Sequence, residues 1–178
     1  MHPLIIGLLL LLAATWYDIR SRRIPNALVL PGAVAGLLAN AVVPQEMGGL
    51  GVFDSVAGFG VGLVLLLPLY LLRAMGAGDV KLMAMTGAFL GMRGVTAAFL
   101  YILLAGGVLA LGMAWRQGKL RMLLHKLKMI LSTRGGSTGD LLLAGNLPQS
   151  TAESADKLPY GVAITAGTVA YLAAAHWG

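Results

Sequence analysis

Long apolar runs are the feature that most constrains the fold of this chain. The first covers residues 3–17, and others cover 25–43, 54–72, 95–115 and 159–177. About 20 apolar residues at 1.5 Å per residue cross a ~30 Å hydrocarbon core, so runs of this kind predict transmembrane helices. Charged residues make up 11% of the chain, against about 25% in soluble domains, which excludes a soluble domain of ordinary size.

We therefore predict an all-α fold, a polytopic membrane helix bundle that forms one domain over residues 1–178. Segment 79–92 is short for a full crossing and is expected to be a partial helix buried among the others, followed by a tight turn at 92–94. The bundle then has about six transmembrane helices. A polar loop is predicted at about 116–158. Within this loop, the pattern of residues 119–131 predicts a basic amphipathic helix that lies in the membrane interface. A solvated connector helix is the alternative.

The basic residues are distributed very unevenly along the chain. Of the 13 Lys and Arg residues, all but Arg93 fall in segments 20–24, 73–81 and 116–158. The positive-inside rule places these segments in the cytoplasm and both termini outside. The net charge of +6 is therefore expected to meet anionic lipid headgroups and not nucleic acid. Lys81 is expected to extend to the interface.

Two of the seven acidic residues, Asp18 and Asp79, lie at the ends of apolar segments on the predicted cytoplasmic side. An ionisable side chain in a membrane segment costs roughly 2.5–3.5 kcal/mol, which makes it a functional-site hypothesis. Structural roles are the alternative: Asp79 as a helix N-cap and Asp18 as an interfacial acid beside Arg20. The other acids are interpreted as solvated, with a candidate helix cap at Asp54 or Ser55.

Three short motifs carry a family resemblance. Residues 76–82 read GAGDVKL, Asp18 is followed by Ile24-Pro25-Asn26, and Pro159-Tyr160-Gly161 opens the last apolar run. In this order they resemble the motifs of type IV prepilin peptidases, which are membrane aspartyl proteases with a GxGD motif, and the resemblance spans nearly the whole chain. It implies that Asp18 and Asp79 are the catalytic dyad. It also implies that the motif or substrate-positioning residues are Gly76, Gly78, Lys81, Pro25, Asn26, Pro159, Tyr160 and Gly161.

The same resemblance implies a substrate and a location. The substrate is the basic leader of a prepilin or pseudopilin precursor, cut at the cytoplasmic face of the bacterial inner membrane by an aspartic endopeptidase. No cofactor and no metal are expected. The larger members of this family have an additional N-terminal region that contains cysteine and also methylate the new pilin N-terminus, whereas this chain has no cysteine and is expected to begin at the protease core. It is therefore expected to resemble the short form found with tight-adherence (Flp-type) pili, and nothing in the sequence supports methyltransferase activity.

Two neighbouring carboxyl groups suit this chemistry because like charges repel at short range, so the pair retains one proton near neutral pH. The ionised member can take a proton from water while the protonated member polarises the scissile carbonyl. Two other functions remain open: a small transporter or channel that uses Asp18 and Asp79 for protons or cations, and a structural membrane subunit. The absence of cysteine excludes disulfides and a cysteine nucleophile, and the three histidines lack the HExxH spacing.

Overall fold

The computed structural model describes residues 3–21, 24–44, 49–72, 75–116 and 160–177. Within these ranges it contains five helices and no strand, which confirms the all-α class for the described part of the chain. The helices are α1 (Pro3–Ser21), α2 (Asn26–Val42), α3 (Val52–Leu71), α4 (Ala77–Arg116) and α5 (Tyr160–Trp177). The predicted amphipathic helix at 119–131 and most of the predicted polar loop lie outside the described residues, and the single-domain organisation stays a prediction.

Three of the helices are long and apolar enough to cross a membrane, at Pro3–Ser21, Val52–Leu71 and Ala77–Met113, while α2 is a shorter apolar helix. Large apolar side chains such as Leu9 and Val64 point away from the protein, with 58% and 61% of their surface exposed. Exposure of this kind is consistent with a membrane protein whose helices face lipid. The structure therefore supports apolar spanning helices, and a total of about six stays a prediction.

The count of helices differs from the prediction because the expected fourth and fifth helices form one element, α4, of 40 residues. A non-helical residue, Gly91, divides it into two arms, with φ 71° and ψ 177°. The predicted turn at 92–94 thus lies one residue too late. Glycine adopts a positive φ without the steric cost that other residues incur, which is why the helix breaks there.

The two arms of α4 run in opposite directions. Asp79, in the first arm, lies near enough to Tyr160 for its charge to act on the phenol. Gly106, in the second arm, also lies beside Tyr160, since a Cβ on Gly106 would be 3.9 Å from the ring atom Cε1. Residues 79 and 106 would be about 40 Å apart in a straight helix. The helix therefore folds back on itself at Gly91.

Side chains from α2 and α3 bind the backbone groups that this reversal leaves without helical partners. The carboxylate of Asp54 accepts a hydrogen bond of 3.3 Å from the N–H of Met92. The carbonyl of Ala88 accepts bonds of 2.9 Å from Asn40 Nδ2 and 2.6 Å from Ser55 Oγ. A buried backbone group without a partner is costly, so these contacts stabilise the break. The expected cap at Asp54 or Ser55 is therefore wrong: the N-cap residue of α3 is Gly51, without a side-chain cap bond, and both side chains bind the break in α4 instead.

The first arm of α4 is the centre of the bundle. Leu82, Met83 and Met85 are fully buried, which agrees with a short helix enclosed by the others. Close approach depends on small residues four apart: a Cβ on Gly32 would be 2.5 Å from the sulfur of Met85. Similar tight contacts occur at Gly36, Gly58, Gly62, Gly87, Gly91 and Gly167. Small residues let helix backbones approach closely in an apolar environment.

Candidate active site

Asp18 lies in the last turn of α1 and is 7% exposed. Its Oδ2 accepts a hydrogen bond of 2.9 Å from the backbone N–H of Gly161. Gly161 is the second residue of α5, and the N–H groups of a first helical turn have no partner within their own helix. Asp18 therefore caps α5 from another helix, at the end where the helix dipole favours a negative charge.

The contact between these two residues leaves no room for a side chain at position 161. A Cβ on Gly161 would lie 2.7 Å from Oδ2 of Asp18 and 3.2 Å from its Cβ. The predicted motif residue Gly161 thus has a direct structural role beside the carboxyl. Its neighbour Tyr160 begins α5, and Pro159 lies outside the described residues.

Asp79 is the third residue of α4, which begins at Ala77. Its Oδ2 accepts a hydrogen bond of 3.3 Å from the backbone N–H of Gly76, just before the helix. The alternative that Asp79 is the N-cap residue is therefore wrong by position, because it lies inside the first turn. Its bond back to Gly76 is the one that an acid at the third helical position makes in a capping box. Asp79 is 9% exposed.

The structure brings the two acids together at one end of the bundle. Asp18 lies close enough to Asp79 for its charge to influence that carboxyl, and Asp79 lies close enough to Tyr160 to influence the phenol. Each carboxyl is held by one backbone N–H at the start of a helix, α5 for Asp18 and α4 for Asp79. Within the described ranges, neither acid forms an ion pair with a basic side chain. Two buried acids thus lie near each other, and no basic side chain of the described residues is paired with either.

The other predicted motif residues surround the start of α4. Lys81 Nζ donates a hydrogen bond of 3.0 Å to Asn26 Oδ1, which joins the GxGD segment to the first turn of α2. Lys81 was expected to be a motif residue that extends to the interface, and this partner was not predicted. Pro25 is the N-cap residue of α2, one position before the helix. Ile24 packs on Gly78, where a Cβ would be 3.2 Å from the Cβ of Ile24.

Sequence reasoning missed two polar residues close to Asp18. The hydroxyls of Thr15 and Thr165 lie 2.6 Å apart and join α1 to α5. The only sequence signal was their spacing: Thr15 comes three positions before Asp18, and Thr165 comes four positions after Gly161. That spacing places each threonine on the same helical face as its neighbour at the site.

As for a metal, the described residues contain no group of three or more His, Cys, Asp and Glu side chains placed to hold one. Among the described residues, the two carboxyls, the backbone N–H groups that bind them and the phenol of Tyr160 lie at this end of the bundle.

Comparison with known families then identifies the chain. The model of the type IV leader peptidase family matches residues 5–111, which is more than half of this chain. The chain belongs to the type IV leader peptidase family. The matched region includes both acids and ends before α5, so the Asp18–Gly161 contact extends the site beyond it. Family membership supports a peptidase and weighs against the transporter and the structural subunit.

Two other comparisons found nothing. No curated protein matches the chain, and no solved structure matches it either. The likeness to a tight-adherence short form within the leader peptidase family therefore stays a prediction.

Proposed function

We propose that this leader peptidase is an aspartic endopeptidase that removes the basic leader of prepilin or pseudopilin precursors, with Asp18 and Asp79 as its catalytic dyad. The observation that carries the proposal is the meeting of two buried acids from helices α1 and α4, close enough for one charge to act on the other. Buried acids without a cationic partner are costly to place in a fold. In a member of a peptidase family, two such acids can serve as catalytic groups.

The proposed reaction needs only the two carboxyl groups and a water molecule. The ionised carboxylate takes a proton from the water molecule while the water oxygen attacks the scissile carbonyl carbon. The protonated carboxyl donates a hydrogen bond to the carbonyl oxygen. The tetrahedral intermediate then collapses, the C–N bond breaks, and the leaving amine takes up a proton. No covalent intermediate forms on the enzyme.

The backbone contacts favour this arrangement. Asp18 and Asp79 each use Oδ2 to accept their N–H, at Gly161 and Gly76. These bonds fix the orientation of both side chains before substrate arrives, which reduces the ordering that the reaction itself requires. Among the described residues each carboxyl has one such backbone donor, and in the proposed reaction its Oδ1 binds water or substrate.

The substrate is proposed to approach from the end of the bundle where α4 begins. Gly76 is exposed there, and its lack of a side chain leaves space for an extended peptide beside Asp79. Pro25, Asn26, Lys81 and Tyr160 surround this approach as the proposed substrate-positioning residues. In the proposed topology this end faces the cytoplasm of a bacterial inner membrane, and exposed Arg20 meets anionic lipid headgroups there.

The test is to co-express the peptidase with a candidate precursor that carries a short basic leader before one apolar helix, and to follow leader removal on gels. We expect Asp18→Asn and Asp79→Asn each to abolish cleavage. Asp54→Asn is the matched control: its acid lies in the first turn of α3, and asparagine retains an oxygen that can accept the N–H of Met92. This variant should cleave normally.

Two results would contradict the proposal. Cleavage that persists in either Asp18→Asn or Asp79→Asn would remove that acid from the dyad. Equal loss of cleavage in Asp54→Asn would mean that the acids of the bundle are needed for folding and not specifically for chemistry.

A further inference from the structure

Two hydrogen-bonded contacts join the same faces of α1 and α5. The first is the bond of 2.9 Å between Asp18 and the N–H of Gly161. The second, one helical turn further along, is the contact of 2.6 Å between the hydroxyls of Thr15 and Thr165. Thr165 is 5% exposed, so its hydroxyl is buried between the helices.

The second contact is tied to the first through Gly161. The hydroxyl of Thr15 lies 3.3 Å from the carbonyl oxygen of Gly161, the residue whose N–H holds Asp18. The hydroxyl of Thr15 also lies 2.9 Å from the carbonyl oxygen of Leu11. The hydroxyl of Thr165 lies 3.3 Å from the same oxygen of Leu11. A shift of α5 along α1 would therefore disturb both contacts together.

We propose that the Thr15–Thr165 pair is a positioning device that sets the position of α5 along α1, and so holds the Asp18 carboxylate opposite Asp79. This inference rests on the proposed function, since the pair acts only through the dyad. Hydroxyls of this kind also find hydrogen-bond partners in the unfolded state within a membrane, so their net effect on folding is small. Displacement of a catalytic group by about 1 Å can reduce a rate about 100-fold, so the effect on turnover is large.

The test uses purified peptidase in detergent with a prepilin-type precursor, and measures kcat, KM and the melting temperature. Thr15→Val and Thr165→Val keep the shape of the side chain and remove its hydroxyl. Thr15→Ser and Thr165→Ser keep the hydroxyl. Thr168→Val is the matched control. It removes a buried threonine hydroxyl from the same helix, and within the described residues that hydroxyl has no hydrogen-bond partner.

We expect each valine variant to lower kcat about 10-fold or more, with KM changed less than about twofold. Each serine variant should retain most of the activity, and Thr168→Val should behave like the wild type. The double valine variant should be no slower than the slower single variant, because either change removes the same contact. Melting temperatures should agree closely across the set.

Three outcomes would overturn the inference. The first is a wild-type kcat in both valine variants. The second is a loss of activity that follows the melting temperature or appears equally in Thr168→Val. The third is failure of both valine variants to fold while both serine variants fold, because the pair would then serve folding and not position.

Asp18→Asn, run in the same assay, separates this inference from the proposed function. If Asp18→Asn still cleaves the precursor, the dyad itself is wrong. If Asp18→Asn is inactive and the valine variants are normal, only the positioning role fails.

Discussion

The carboxylate of Asp18 accepts a hydrogen bond of 2.9 Å from the backbone N–H of Gly161, which lies 143 positions later in the chain. The bond joins the end of the first helix to the start of the last one. The N–H of Gly161 has no partner within α5, and it binds a carboxyl that lies close to Asp79. The site thus depends on both ends of the chain, although the family match covers residues 5–111.

Gly161→Ala should reduce leader cleavage about 10-fold or more, because a Cβ there would lie 2.7 Å from Oδ2 of Asp18 and force the carboxylate aside. The initial rate of precursor cleavage measures this. Gly107→Ala is the control, since a Cβ at that position meets nothing within 4 Å. Equal rates in the two variants would show that the contact with Asp18 does not matter for turnover.

Asn26 and Lys81 should act as one unit in a double-mutant cycle. Their hydrogen bond of 3.0 Å joins the starts of α2 and α4. Asn26→Ala and Lys81→Met should each lower the cleavage rate about 2- to 12-fold, in line with about 0.5–1.5 kcal/mol for the net contribution of an intramolecular hydrogen bond. The double variant should match the slower single variant. Effects that multiply would mean that the two residues act independently.

Gly58→Ala should destabilise the bundle by about 1–3 kcal/mol, because its new methyl group would overlap the carbonyl of Gly87 at the crossing of α3 and α4. Unfolding in mixed detergent micelles measures the free energy of unfolding. Gly60→Ala, two positions along the same helix, faces open space and should be neutral or slightly stabilising. If both variants unfold alike, the crossing is looser than the structure indicates.

Gly91→Ala should cost about 1–3 kcal/mol of unfolding free energy through its positive φ. The residue has a φ of 71°, and a Cβ would also lie 2.5 Å from Oδ2 of Asp54. Gly112→Ala, in the second arm of α4, is the comparison because its Cβ would meet nothing within 4 Å. Comparable stability of the two variants would argue against a reversal at Gly91.

The exact position of the break in α4 could not be predicted from the sequence. The sequence indicated a turn between the two arms of α4, and the structure places it at Gly91 and not at 92–94. Both Gly91 and Gly94 could supply the glycine. Gly91 is chosen because Asp54, Asn40 and Ser55, from two other helices, bind the backbone groups on either side of it. Those partners are distant in sequence, so no local pattern reveals them.

By itself, the sequence determined which segments are helical and which acids are unusual, because apolar length and the cost of a charge in an apolar segment are local properties. Only the tertiary structure decided how these acids are held. Asp18 is held by Gly161 and supported by the Thr15–Thr165 pair, and Lys81 is bound to Asn26. Each of these contacts joins different helices, and their partners follow from how the helices pack, which no periodicity along the chain specifies.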